Sequence, residues 1–257
     1  MIRTRSSFYL GVLITEDNCK LDFDEGSGEL TATLDIGSYT PTEIAEEVED
    51  QLNETGTLTY TVTFNRTTRI LTIAASGSVE LLAATGTNIA VSAYSTLGYA
   101  ATDVTGTSLA AGTALGTDYR PQFILQSYIS PEHQIEQLHS TVNETITGRQ
   151  ELITYGDMGV MRCNIMFITD IAQPSDGPIE NNASAVSQAL VFLDWITKKN
   201  LVEFMPDRAT PGTFVKLVLD SSAVSKDGTK YRLRELYDKG LCEYYETENM
   251  SFRKVDQ

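Results

Sequence analysis

The side chains reactive enough to do chemistry are few, and their spacing does not suit it. The two histidines, His133 and His139, are six residues apart. On a strand that spacing puts them on one side but about 20 Å apart, too far for a shared metal or a proton relay. The carboxylate pairs Glu46/Glu47 and Asp22/Asp24 have the residue types for acid–base cleavage of a glycosidic bond. In a chain with 35 acidic residues, such pairs arise by chance. Cys19, Cys163 and Cys242 are odd in number, scattered, and never in C-x-x-C spacing. That pattern makes no disulfide framework and no zinc site, and the three read as reduced thiols of a chain made in a cytosol. No GxSxG elbow, GxxxxGK[ST] loop, GxGxxG turn or HExxH helix occurs. Tyr244, Tyr245 and Trp195 have faces on which a sugar can stack. In a strand pair and an amphipathic helix, however, they read more readily as core. The expectation is a protein without catalytic, cofactor-binding or metal-binding residues, and no enzyme.

Composition narrows the classes further. With 257 residues, 41% apolar and 21% charged, the chain is globular and long enough for one large domain or two ordinary ones. A net charge of −16 repels phosphates, so binding nucleic acid by charge neutralisation is excluded. No window reaches the length of apolar sequence that a membrane-spanning helix needs. Arg3 and Arg5 followed by a short apolar run imitate a signal peptide, but the run is short and lacks a small-x-small cleavage site, and a strand fits better. The sequons at Asn53, Asn65, Asn143, Asn182 and Asn249 matter only in a secretory pathway and read as chance.

The pattern along the chain predicts an α+β protein, mostly β, in two domains: residues 1–117 and residues 118–257. In the first, residues 8–14 form a strand, and the alternation Leu30-Thr-Ala-Thr-Leu34 forms a half-buried one. Thr40-Pro-Thr-Glu43 is the clearest local signal. Thr40 suits a helix cap, Pro41 the first helical position, and Glu43 the site from which a carboxylate reaches back to the cap N–H. Ile44, Val48 and Leu52 continue as one apolar stripe. Residues 60–64 and 69–74 flank a turn and read as a hairpin. Residues 77–117 are rich in Ala, Thr, Gly and Ser, and from 85 to 116 they carry one charge, Asp103. A short strand or two up to Tyr99 and then a mobile connection are expected there.

In the second domain, residues 121–129 and 160–168 read as strands, with a long projecting hairpin over 139–157 between them. Residues 184–200 read as a helix that buries Val186, Leu190, Leu193 and Trp195/Ile196, with Lys198 and Lys199 in its last turn where positive charge suits the dipole. Residues 204–207, 214–219, 244–245 and 250–255 follow as strands. The two halves differ in charge: residues 1–118 carry 16 acidic and 5 basic residues, and residues 119–257 carry 19 and 14. Glu43, Glu46, Glu47, Glu49 and Asp50 share one helix. They read as a solvated outer face or, more sharply, as a surface that keeps another negative body from sticking.

Residues 119–257 resemble the tail-tube-like split-barrel family of long-tailed bacteriophages, especially their distal tail (upper baseplate) proteins. The resemblance rests on Arg162-Cys-Asn-Ile-Met-Phe-Ile-Thr-Asp170, on Ala189-Leu-Val-Phe-Leu-Asp-Trp-Ile-Thr-Lys-Lys199, on Val202-Glu-Phe-Met-Pro-Asp207 and on Tyr244-Tyr-Glu-Thr-Glu-Asn-Met-Ser-Phe-Arg253. The first domain is similar to a small module of phage structural proteins, through residues 30–34, Ile36-Gly-Ser-Tyr-Thr-Pro-Thr-Glu-Ile44 and the hairpin from Tyr60. The resemblance implies a split β-barrel with one packed helix behind a small N-terminal sheet-and-helix module. It further implies a homo-oligomeric ring, a hexamer, that joins tail tube to tail tip in the virion and passes DNA without binding it specifically. The chain would be made in the bacterial host cytoplasm, without a cofactor or a membrane span. Two other readings stay open: another tail tube, terminator or neck adaptor protein, and a carbohydrate-binding module that contacts a receptor.

Overall fold

The computed structural model describes residues 7–115, 118–119, 132–137, 140–144, 150–154, 157–165, 168, 186–205, 214–220, 233–235, 245–247 and 250–255. Strand 121–129 of the sequence reading, His139, Cys242 and Tyr244 lie outside these residues. Among the described residues the fold is mostly β with two α-helices, its sheets are antiparallel, and none closes into a barrel.

The first strand of the sequence reading is in fact two. β1 (Ser7–Leu10) and β2 (Val12–Ile14) are separated at Gly11 and enter different sheets. The reason is steric. A Cβ on Gly11 would lie 1.7 Å from the Tyr39 carbonyl oxygen, so only glycine lets the chain pass the backbone there. β2 pairs with β5 (Gly37–Tyr39) and opens the N-terminal lobe. There β3 (Lys20–Asp24) joins β4 (Glu29–Thr33), and β6 (Tyr60–Asn65) joins β7 (Ile70–Leu81). β7 is the organiser. Its first half pairs with β6 and its last residues with β3, while β8 (Val104–Ala110) runs along its other side.

α1 (Pro41–Thr55) begins as the sequence predicts. The Thr40 Oγ1 accepts the Glu43 N–H, and the Glu43 carboxylate accepts the Thr40 N–H at 2.9 Å. Ile44, Val48 and Leu52 bury their stripe against the sheet. The expected mobile connection after Tyr99 is a correction. Residues 104–110 are strand β8, and Tyr94, Leu97, Tyr99, Leu109 and Leu115 are buried in the lobe's core. Two tyrosine hydroxyls fix this stretch: Tyr94 donates to the Asp22 carbonyl and Tyr99 to the Leu109 carbonyl, both at 2.9 Å. Many small residues therefore make a packed segment once a few aromatics anchor them.

The second lobe is built on a seven-stranded sheet in the order β10 (Glu132–Gln137), β13 (Asp157–Cys163), β18 (Met250–Val255), β15 (Val215–Leu219), β14 (Val202–Met205), β1, β9 (Asp118–Tyr119). The hairpin expected over 139–157 is present as β11 (Ser140–Glu144) paired with β12 (Gln150–Thr154). β16 (Leu233–Glu235) pairs with β17 (Tyr245–Thr247). α2 (Val186–Thr197) buries Ala189, Phe192, Leu193 and Ile196 against one face of the large sheet. Leu190, read from the sequence as buried, is 37% exposed, because the apolar face turns one residue further round, through Ala189 and Phe192. Phe8 sits at the centre of this core, with Phe192, Phe204 and Phe252 ring centroids 4.8, 5.1 and 6.0 Å away. The strand alternation that points Phe8, Leu10, Val202 and Phe204 at α2 turns Tyr9, Glu203 and Lys216 to the opposite face, in register across β1, β14 and β15.

Candidate assembly surfaces and the seam between the lobes

Of the carboxylates that had the residue types for acid–base chemistry, Asp22, Asp24 and Glu47 are held by the fold, while Glu46 is exposed. Asp22, 3% exposed, accepts from the Thr31 hydroxyl and from the backbone and side-chain N–H groups of Asn88. Asp24 closes its turn by accepting the N–H groups of Gly26, Ser27 and Gly28 on one oxygen. Asp103 accepts the Thr85 hydroxyl and the N–H groups of Ala84 and Thr85, and these bonds, the hydroxyl's first, lower its pKa. Glu25 has the strongest such role. Burial raises its pKa, but the Thr57 hydroxyl, the N–H groups of Thr57 and Leu58 and the Tyr60 hydroxyl outweigh that and hold it at about 2.

The remaining chemical candidates come no closer to a reaction centre. His133 lies on β10. Cys19 and Cys163 are free and buried, and burial lifts the Cys163 thiol to about 12. Among the described residues, no three His, Cys, Asp or Glu side chains are grouped to hold a metal ion. No described helix is long and apolar enough to cross a membrane. Trp195 and Tyr245 pack against the apolar core of the second lobe, and the Trp195 indole N–H donates to the Leu201 carbonyl at 2.9 Å, so neither forms an open stacking platform.

The acidic helix is more than a solvated face. Glu46 and Asp50 are exposed. In contrast, Glu47 accepts the Asp35 N–H at 2.8 Å, Glu49 accepts the Val62 N–H at 2.7 Å, and Glu43 reaches the other lobe.

That reach belongs to a polar seam. The Arg66 guanidinium, carried on the turn between β6 and β7, donates to both Glu203 oxygens at 2.6 and 3.4 Å and to the Thr42 hydroxyl at 2.5 Å. It also lies 3.7 Å over the Phe214 ring. Glu203 has no exposed side-chain surface and Arg66 has 15%. The neighbouring pair is Lys216 with Glu43 at 2.9 Å. Glu43 thus uses one oxygen for its capping box and the other for a lysine of the large sheet. Nearby, the Leu201 N–H donates to the Ser38 hydroxyl at 3.1 Å. The seam went unread in the sequence. Its one trace there is a lone acid, Glu203, in the apolar run Val202-Glu-Phe-Met205, where alternation sends it away from the core.

The other notable surface is the pair of rims of the large sheet. β10 and β9 each have a single partner strand among the described residues. Such rims leave backbone N–H and C=O groups able to pair with another strand. No protein-family model and no curated protein matches the chain.

Proposed function

We propose that the protein is a structural component of a bacteriophage tail: a ring at the tail tip or baseplate that continues the tube and lets DNA pass. The observation that carries this reading is the seven-stranded sheet, which among the described residues is open, with β10 at one rim and β9 at the other. An antiparallel sheet left open at both rims is a liability in a lone molecule and an interface in a closed ring of copies. In that reading the sheet is one subunit's share of a split barrel, completed by its neighbours, and the β11–β12 hairpin reaches an adjacent subunit or the lumen.

Charge supports the same role. Each subunit carries −16. A ring of six would surround DNA with repulsion and offer it no net-positive track, so the duplex slides without being trapped. The reading needs no bond-making chemistry, and the engagement of Asp22, Asp24, Glu25 and Asp103 with backbone amides and hydroxyls fits that. The subunits would be made in the host cytoplasm and assembled into the virion beside tail-tube and tail-tip proteins. Native mass spectrometry and negative-stain electron microscopy of the full chain test this. Closed rings, six copies in each, are the expected outcome. A strict monomer at high concentration would overturn it.

A further inference from the structure

Among the described residues the two lobes do not share a core. The N-terminal cluster runs through residues between Val12 and Leu115, and the second runs from Phe8 and Leu10 through α2 to Phe252; each closes on itself. Among the described residues, the side-chain hydrogen bonds between them include Arg66 to Glu203, Thr42 to Glu203, Lys216 to Glu43, and the Leu201 N–H to Ser38, with the Arg66–Phe214 stack beside them. Tyr9 and Met205, on the same sheet face as Glu203, are also buried and belong to neither core, so the ion pairs share the seam with a small apolar contribution.

Interfaces of these two kinds respond differently to a lost group. An apolar interface loses stability in proportion to area removed. A buried ion pair contributes little net while intact, because desolvation offsets attraction, yet removing one partner strands the other charge without water. Glu203 is fully enclosed, and the groups enclosing its carboxylate include Arg66 and Thr42 of the other lobe. Parting the lobes gives a stranded Glu203 a route back to solvent.

We infer that the seam is a releasable latch. The N-terminal lobe is held on the Tyr9–Glu203–Lys216 face of the large sheet by Arg66–Glu203 and Glu43–Lys216. The chain has a second, open form in which that lobe leaves the face while both cores stay folded. The latch concerns one subunit and stands independently of any ring.

Hydrogen exchange and small-angle scattering on the full chain test this. The Leu201 amide reports the seam directly, because its acceptor is Ser38 of the other lobe. Amides of the β6–β7 and β14–β15 pairs serve as internal references. In Arg66→Met, Leu201 exchange should rise on the order of a hundredfold and the radius of gyration should increase, with the references unchanged. In Arg66→Met/Glu203→Met neither charge is left enclosed, and both readouts should return towards the parent values. Unchanged Leu201 exchange in the single variant overturns the latch. So does acceleration of Leu201 and the references by one common factor, or a double variant as open as the single. Should Arg66→Met not fold, Lys216→Met at the outer pair must shift Leu201 exchange in the same direction by a smaller factor, and no shift there is equally fatal.

Discussion

The N-terminal lobe and the second lobe reach the same end, a closed apolar core beside antiparallel strands, by different means. In the first, the core comes from one continuous stretch of chain, and carboxylates tie its loops: Glu25 to residues 57–60, Glu29 to Thr87, Asp22 to Asn88, Asp103 to residues 84–85. In the second, the core needs both ends of the chain, with Phe8 and Leu10 packed beside Met250 and Phe252. Acidity in the first lobe is therefore a structural material, since ionised oxygens accept backbone N–H groups that would otherwise lack partners. Stability in the second lobe depends instead on insertion of β1 between β14 and β9. The two lobes should accordingly fail under different insults.

The largest effect should follow Phe8→Ala. The ring has no exposed surface and touches three other phenylalanines, so truncation should cost about 3–5 kcal/mol in denaturant unfolding. Exchange should accelerate in β14, β15 and β18 and far less in β6–β8. Equal acceleration in both lobes would erase the contrast and make the chain a single cooperative unit.

Acid should strike the other lobe. Glu25 is held at about 2 against an ordinary 4.5, so the folded lobe stays unprotonated there while the unfolded chain takes up a proton. Its contribution is fully present above pH 4.5 and disappears as pH falls through about 2. Glu25 is only partly buried, so solvent screens the effect and keeps it below that of Phe8. Glu25→Gln should lower stability at neutral pH and flatten the acid limb between those two values, read as exchange in the β6–β7 hairpin against pH. An acid limb of unchanged slope would show that other carboxylates carry it.

Legibility divided along the same line. The capping box at Thr40 and Glu43, the stripe Ile44–Val48–Leu52 and the hairpin from Tyr60 depend on residues within a few positions of one another, and their side-chain types state the geometry. The path of β8 was unreadable, because Val104-Thr-Gly-Thr-Ser-Leu-Ala110 has neither strong alternation nor an aromatic of its own. It is fixed by β7 and by the Tyr99 hydroxyl ten residues away. The break at Gly11 was equally hidden, since it answers to Tyr39 rather than to any neighbour in sequence. The seam was furthest from view: Arg66 meets Glu203 across 137 positions, and neither residue type announces a partner. Sequence spacing exposes contacts that close within a turn or a hairpin, whereas contacts that close between lobes leave at most an acid out of place on a strand.

Helix ends and helix surfaces give the smaller contrasts. Thr40→Ala removes the cap acceptor for the Glu43 N–H and should cost about 1 kcal/mol. The loss should appear as fraying in the first turn of α1. Because Glu43 also holds Lys216, a slight rise in Leu201 exchange should accompany it.

The weakest expected effect belongs to the second lobe and is useful for that reason. Asp194 on α2 and Lys198, the residue just past the helix end, form an i,i+4 pair at 2.6 Å, with the acid on the N-terminal side, the favourable order for the dipole. By distance alone it equals Arg66–Glu203, also 2.6 Å. The environments differ: the α2 pair is 56% and 46% exposed, whereas Glu203 is wholly enclosed. Water and salt already solvate both α2 partners, so Asp194→Ala should change stability by less than about 0.5 kcal/mol and leave Leu201 exchange untouched. If Asp194→Ala and Arg66→Met proved equally costly, separation rather than burial would govern ion pairs in this protein, and the seam would lose the property that makes it a latch.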